Sequence, residues 1–423
     1  MSTDELRESN QTGTPVPPPA STLQEKQAAT RLVVALLGTA AFIVTADARV
    51  VTPLLPIIAG EFKTNIGAAG VIVTAYALPY GLFQLLYGPL GDRIGKLRVM
   101  TGAMAVFAVG TAACALVPSL LLLDLLRFLT GAAAAAMIPL SLAYIGDIFP
   151  YQERQIAIAH YLTAIALGQI LSTSMGGIVG DYLSWRYIFL AYGLISVVVV
   201  ILFWRLTRRM PHAPAPEIRR IGLLASLKPY AQLLTRPAPR LVIIAVFIEG
   251  IFFYGEFTYL GAFLRDRYHL PYIAIGLMLS GFGLGNLVYS RSVRWFVRRL
   301  GENGMVIVGG SLTCACYLAI ALFNSWLVFI CINIMFGLSF YMIHNTLQTK
   351  ATELAPEARG TAVSLFAFSL FLGQGIGAAA LGILINASGY TLSLLVAGVP
   401  MVLLALWFVW RMRRLAGRSR LET

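Results

Sequence analysis

Six ionisable residues sit inside otherwise apolar stretches of this 423-residue chain: Asp47, Arg49, Asp124, Arg127, Glu249 and Glu256. Each costs about 2.5–3.5 kcal/mol on membrane-insertion scales, so their retention points to chemistry. A carboxyl in apolar surroundings suits proton exchange, because burial penalises its charged form far more than its protonated form. Asp124 and Arg127 are three apart and can pair on one helix face. Alternatively, Arg127 lines a cavity and tunes a carboxylate on the first apolar run. Arg49 is two residues from Asp47, roughly 200° around a helix, so the two should not pair directly. Its long stem is expected to reach the outer membrane surface. Glu249 and Glu256 are seven apart and are expected on one face, with Phe252, Phe253 and Tyr259 nearby. Asp47, Glu249 and Glu256 are therefore the proton-coupling candidates, with structural hydrogen bonding as the competing role.

Two polar stripes accompany them. Tyr76, Tyr80, Gln84 and Tyr87 fall on one helical face, and Asn333, Tyr341, His344 and Gln348 on another. Rings with polar tips suit a cavity that binds amphipathic organic molecules. Interhelical hydrogen bonding is the alternative use of such residues in a membrane. His344 reads as a hydrogen-bonding residue rather than a proton relay.

The elements that must hold these residues are long and apolar. The chain is 58% hydrophobic and only 12% charged, against roughly 25% charged in soluble domains. A span needs about 20 apolar residues. Twelve candidates follow, near 32–56, 66–90, 99–117, 119–145, 156–180, 186–206, 241–264, 272–290, 304–323, 326–347, 361–385 and 391–410. The expected fold is an all-α membrane protein with twelve transmembrane helices.

The net charge of +13 does not indicate nucleic acid. Of the 32 Lys and Arg, Lys63, Arg186, Arg265 and Arg267 fall on one side, Arg49 and Arg127 lie within spans, and the other 26 face the opposite side. That asymmetry sets topology, with both termini and the basic loops in the cytoplasm and the chain in the inner (plasma) membrane. Cys114, Cys314, Cys316 and Cys331 all lie in apolar runs and read as small buried hydrophobes.

Residues 1–30 are polar and expected to be a disordered cytoplasmic tail. Residues 31–206 form a first six-helix bundle, 207–239 a Pro- and Arg-rich cytoplasmic linker, 240–412 a second bundle and 413–423 a basic tail. Within the linker, 218–234 has apolar residues near helical spacing beside Arg219, Arg220 and Lys228, which suggests a helix on the membrane surface. The halves read as a pseudo-repeat: an offset of 209 carries Arg31 onto Arg240 and Asp47 onto Glu256.

Between the second and third apolar runs the chain reads GPLGDRIGKLR, Gly88 to Arg98. This tight charged turn resembles the signature loop of the major facilitator superfamily of secondary transporters. The resemblance implies two parallel six-helix halves with substrate bound between them near mid-membrane. It makes Gly88, Gly91, Asp92, Arg93, Gly95 and Lys96 a gating loop, with Asp92 expected near Gly360 and Thr361 at the start of the eleventh span. Arg127, within LLRFLTG, resembles the family's buried span-4 arginine. Asp147 and Arg154 resemble its acidic and basic positions after span 4. The fifth span departs from the drug-exporter pattern: between Gly168 and Gly177 the expected proline is replaced by Thr173.

The expected function is proton-coupled efflux of a small organic molecule by alternating access. A sugar or metabolite exporter, a proton-coupled importer and a non-transporting receptor or scaffold are the alternatives. The expected partners are a small-molecule substrate, protons and the lipid bilayer, with no nucleic acid, and the chain is expected to be a monomer. No P-loop and no metal-ligand cluster is present in the sequence, so no enzyme activity, cofactor or metal is implied.

Overall fold

The computed structural model describes residues 20–209, 228–323, 325–355 and 358–419. Among the described residues the fold is all-helical. Ten helical stretches are long and apolar enough to cross a membrane.

The first stretch is α1 (Ala20–Arg49), followed by the short apolar α2 (Val51–Glu61). The helix thus takes in the last eleven residues, 20–30, of the expected polar tail. Pro53 lacks the N–H that would bond the Arg49 carbonyl, so the stretch breaks at Val50, directly after Asp47 and Arg49. Next come α3 (Ile66–Ile94) and α4 (Lys96–Cys114). The Asn65 side chain caps α3 by accepting from Ala68 N at 2.8 Å. Gly95, at φ 95°, makes the turn into α4 and is a position that glycine occupies without strain. The fourth stretch is α5 (Leu120–Ala134) plus α6 (Met137–Ile148), broken where Pro139 removes the bond to Ala135. The first half closes with α7 (Tyr151–Tyr182) and α8 (Arg186–Arg209).

After the linker, α9 (Lys228–Thr235) is a short helix with Leu233 buried. The rest of the suggested surface helix lies outside the described residues, apart from this end. The next stretch is interrupted: α10 (Pro237–Glu249), a π-helical turn over Gly250–Tyr254, α11 (Gly255–Phe257) and α12 (Leu260–Tyr268). It is followed by α13 (Tyr272–Leu322), α14 (Trp326–Glu353) and α15 (Arg359–Ser419).

The ten stretches differ from the twelve expected spans because α13 and α15 are 51 and 61 residues long. A straight 51-residue helix would run about 77 Å, over twice the hydrocarbon thickness. Each bends at a glycine with positive φ, Gly301 (63°) and Gly389 (80°).

Two apolar cores result. One runs from Val33 to Phe203 and takes in Tyr259, Ala378, Leu381 and Ile385; the other runs from Leu233 to Val409. Two of the cysteines, Cys114 and Cys316, are buried as expected; Cys314 is half-buried, and Cys331 is exposed on α14. The long helices that join the cores are α3 against α15 and α7 against α13. The α7–α13 seam has little room for side chains. A Cβ on Gly177 would run into the Tyr272 carbonyl, and one on Gly276 into the Thr173 carbonyl.

Ties between the halves include Tyr230 OH donating to the Leu85 carbonyl (3.3 Å) near the 88–98 loop and Thr74 Oγ1 donating to the Gly375 carbonyl (2.9 Å) at mid-height, with a further group at the end away from that loop. Asp181 accepts hydrogen bonds from Tyr272 N (3.0 Å) and Ile273 N (2.7 Å), capping the N-terminus of α13. Asn386 Nδ2 donates to Asn65 Oδ1 at 2.7 Å, and Gly67 N donates to Asn386 Oδ1 at 3.2 Å. That end is also braced within the first core. Arg186 pairs with Glu61 at 2.6 Å and donates to the carbonyls of Ala115 and Val117.

Candidate functional site

Between the two cores, at mid-height, lies a cavity of about 80 Å³. The last turns of α1, the middle of α3, Arg127 of α5, Gln169 of α7 and Gln374 of α15 form much of its wall.

Arg127 lines the cavity and holds Asp47 behind its wall, the two at 1% and 0% exposure. Arg127 Nη1 donates to Asp47 Oδ2 at 2.5 Å, and Nη2 to the Asp47 carbonyl at 3.3 Å. The guanidinium also lies over the Tyr76 ring, 4.1 Å from its centre. Arg127 therefore goes to the first helix and does not pair with Asp124, which is only half-buried. Asp47 Oδ1 and Arg127 Nε remain without a partner among the described residues. One carboxylate oxygen is thus buried without a hydrogen-bond partner among them.

Arg49 is not at the outer surface. It lines the cavity, and its guanidinium stacks on Tyr254 across the gap, 4.1 Å from the ring centre. The π-helical turn carries Tyr254 into that position. Such turns recur at functional sites because the extra residue redirects side chains.

The same turn corrects the expectation for Glu249 and Glu256. Seven residues make two turns only in regular α-helix, and the π-helical turn lies between them. The two carboxyls consequently meet different neighbours. Glu249 Oε2 is 3.2 Å from His344 Nδ1, while Glu249 Oε1 has no partner. Ser393 Oγ donates to Glu256 Oε2 at 2.5 Å, away from the cavity wall.

The remaining candidates divide between cavity and packing. Tyr76 and Tyr80 stack at 5.9 Å and face the cavity, where Phe371 of α15 meets Tyr80 at 4.3 Å. Gln84 is buried one turn further along, with Oε1 unpartnered. Tyr341 reaches the cavity indirectly, donating its OH to Gln169 Oε1 at 3.1 Å. Phe253 is core, packed at 4.6 Å from both Phe336 and Phe340. Phe252 is half-buried, and its carbonyl accepts from Tyr317 OH at 3.1 Å. Tyr259 donates to the Ala378 carbonyl at 2.5 Å, and Asn333 Nδ2 to the Met278 carbonyl at 2.5 Å; both are interhelical ties.

Sequence reasoning missed Gln169, Gln374 and Tyr254. The two glutamines carry a visible signal: Gly168-Gln169 and Gly373-Gln374 are matching dipeptides, 205 residues apart, in otherwise small and apolar stretches.

The 88–98 loop is a charged cluster within the first half. Lys96 Nζ is 2.6 Å from Asp147 Oδ2 and 3.7 Å from Asp92. Arg154 Nη2 donates to the carbonyls of Gly146 (2.6 Å) and Phe149 (3.3 Å). Gly91 packs on Leu140, whereas Gly88 faces open space. Arg93 is half-buried, with Nη2 unpartnered. Asp92 is 71% exposed, and nothing lies against Gly360, so the expected meeting of Asp92 with the start of α15 is not formed in this conformation.

The family model of the Major Facilitator Superfamily matches residues 37–369. The chain belongs to that superfamily. This major facilitator is 29% identical over 348 residues to an uncharacterized MFS-type transporter, YceJ, of Bacillus subtilis, covering 81% of this chain and 86% of that protein. It is 26% identical over 372 residues to a probable sugar efflux transporter of Helicobacter pylori, covering 87% and 92%. Its fold matches a bacterial homolog of the human lysosomal transporter Spinster in an inward-facing, unoccupied conformation, with TM-score 0.74 and 18% identity over 91% of this chain and 97% of that one. It also matches the nucleoside transporter NupG, with TM-score 0.72 and 14% identity over 90% and 99%. The protein is a multi-pass membrane transporter, not an enzyme, and it carries a small-molecule substrate.

Proposed function

We propose that this major facilitator exports a small organic molecule in exchange for protons by alternating access. In this reading the chain makes twelve spans, with α13 and α15 each crossing twice about Gly301 and Gly389. The 31–206 and 240–412 segments are the two rocking halves. Both termini and the 207–239 linker lie in the cytoplasm of a monomer in the inner (plasma) membrane, the arrangement favoured by the 26 Lys and Arg on one side. The conformation described above is then the inward-facing one, tied at the outer end by Asp181 and Asn386.

The observation that carries the reading is the fully buried Asp47–Arg127 pair bordering the cavity, with one Asp47 oxygen unpartnered. A proton on Asp47 would release Arg127, and a solute or water reaching the pair would restore it. Glu249 with His344 forms a comparable site in the second half, and Glu256 is the third candidate. In proteoliposomes with an imposed pH step, neutralising the carrier to Asn or Gln should abolish accumulation while downhill exchange remains. If Asp47→Asn, Glu249→Gln, Glu256→Gln and the triple variant all still accumulate substrate, the proton-coupled reading is wrong.

A second reading, efflux of a sugar or similar polyol, is favoured by one feature of the cavity. Gln169 and Gln374 both line it, and Gln374 Oε1 lacks a partner among the described residues. Amide groups of this kind match hydroxyls better than alkyl surface.

A further inference from the structure

A second, larger concavity lies at the basic end, far from the central cavity. It has a volume of about 240 Å³ and sits between the start of α10 and the end of α15. Its polar rim is Arg240, Arg411 and Arg414, and its apolar floor includes Leu241, Ile244 and Trp407. All three arginines are exposed. No acidic residue lines the concavity, and among the described residues none of the three forms an ion pair. Arg414 lies over the Trp410 ring at 3.9 Å, and Arg411 over the same ring at 5.8 Å.

The position in the bilayer narrows the ligand. The two flanking stretches, Pro237–Tyr268 and Arg359–Leu415, are membrane-crossing. The rim therefore sits at the membrane–water boundary, where tryptophan is favoured. From Pro237 to Ile244 the groove descends seven residues, about 10 Å along the helix, into the hydrocarbon. Its volume falls below the roughly 300 Å³ of the smallest drug-sized sites. A cationic rim above an apolar floor on which Ile244 is exposed fits a phosphate head with acyl chains attached. Guanidinium groups are suited to phosphate because they present paired donors.

We propose that the groove between α10 and the end of α15 binds an anionic phospholipid, with Arg240, Arg411 and Arg414 on its phosphate and the chains along Leu241, Ile244 and Trp407. The site is independent of the substrate cavity and of proton coupling. A bound lipid would join the first helix of the second half to its last.

The test is native mass spectrometry of the purified full-length chain titrated with dioleoylphosphatidylglycerol, dioleoylphosphatidylcholine or glycerol 3-phosphate. Phosphatidylglycerol should be retained in preference to phosphatidylcholine. The triple variant Arg240→Gln, Arg411→Gln, Arg414→Gln should weaken its retention about 100-fold, to the phosphatidylcholine level. The control Arg291→Gln, Arg294→Gln, Arg298→Gln removes as much charge from the same end and should leave retention unchanged. Ile244→Trp keeps all three arginines but fills the groove; Ile244 is 40% exposed, so the chain should tolerate it, and retention should fall. Equal retention of the two lipids, an equal loss in the control variant, unchanged retention in Ile244→Trp, or displacement of the lipid by glycerol 3-phosphate would each overturn the proposal. The last of these would mark a free-phosphate site instead.

Discussion

Replacing Asp47 with leucine removes one side of an ion pair that water does not reach. Arg127 would lose its carboxylate acceptor at 2.5 Å and keep only the residue-47 main-chain carbonyl at 3.3 Å, in a pocket where its exposure is 1% and its Nε already lacks a partner. Leaving one buried charge uncompensated costs about 3–5 kcal/mol, roughly 150- to 4,000-fold in the folding equilibrium. The Tyr76 ring, 4.1 Å away, stays in place and offsets only part of this, on the order of 2 kcal/mol. Arg127→Met should cost about as much, since it strands the Asp47 carboxylate. Asp47→Leu combined with Arg127→Met removes both charges and should fall within about 1–2 kcal/mol of the parent, because buried pairs are often replaceable by packed apolar groups. The assay is equilibrium unfolding of the parent, both single variants and the double variant in mixed micelles. A large favourable coupling between the two sites is expected. If each single variant costs less than about 1 kcal/mol and the effects add, the two charges are solvated independently, and the buried-pair argument fails.

Three further outcomes follow from the same geometry. Gly177→Leu should force α7 from α13 by about 2–3 Å beyond their glycine-limited separation, read as a longer distance between spin labels at positions 182 and 273; an unchanged distance would show that the seam is not tight. Asp181→Asn removes the charge that caps α13, worth about 0.3–1 kcal/mol, and should raise thiol labelling of a cysteine at position 386 by about two- to five-fold. A cysteine at position 215 should react with an impermeant reagent only when the cytoplasmic face is open to it; labelling of intact cells from outside would reverse the proposed topology.

The apolar stretches were legible because the bilayer dictates their length, and Asp47 and Arg127 because charge inside them is expensive. The pairing was only partly legible. Arg127 had two carboxylates in reach of the argument, Asp124 locally and Asp47 by tertiary contact, and only the packing of α5 on α3 and α4, which brings Arg127 to the end of α1, decides between them. Glu249 with His344, and Arg49 with Tyr254, are partners 95 and 205 positions apart whose meeting depends on helix rotation. Residue spacing on one helix does not encode that rotation. The π-helical turn defeated the spacing argument outright, since the arithmetic that put Glu249 and Glu256 on one face assumes 3.6 residues per turn. Asn333 and Tyr259 show the opposite error. Their polar groups belong to interhelical ties, which composition does not distinguish from a cavity lining.

The glycine seam between α7 and α13 has a mechanical consequence. Interlocked side chains would act as teeth, and each step of one helix past the other would force rotamers to change. Gly177 and Gly276 bring backbone against backbone, so this stretch behaves as a plain bearing, whereas further along the same seam the Ile170 side chain sits over Gly283 as a tooth. Motion along the Gly177–Gly276 stretch strips no knobs from holes, and Ile170 over Gly283 is one that sliding would displace. For two halves that rock against each other, much of the resistance then resides in a few polar latches such as Asp181 on Tyr272 and Ile273. Each latch is a hydrogen bond that water can replace as the end opens, so much of the friction in this joint is set by hydration.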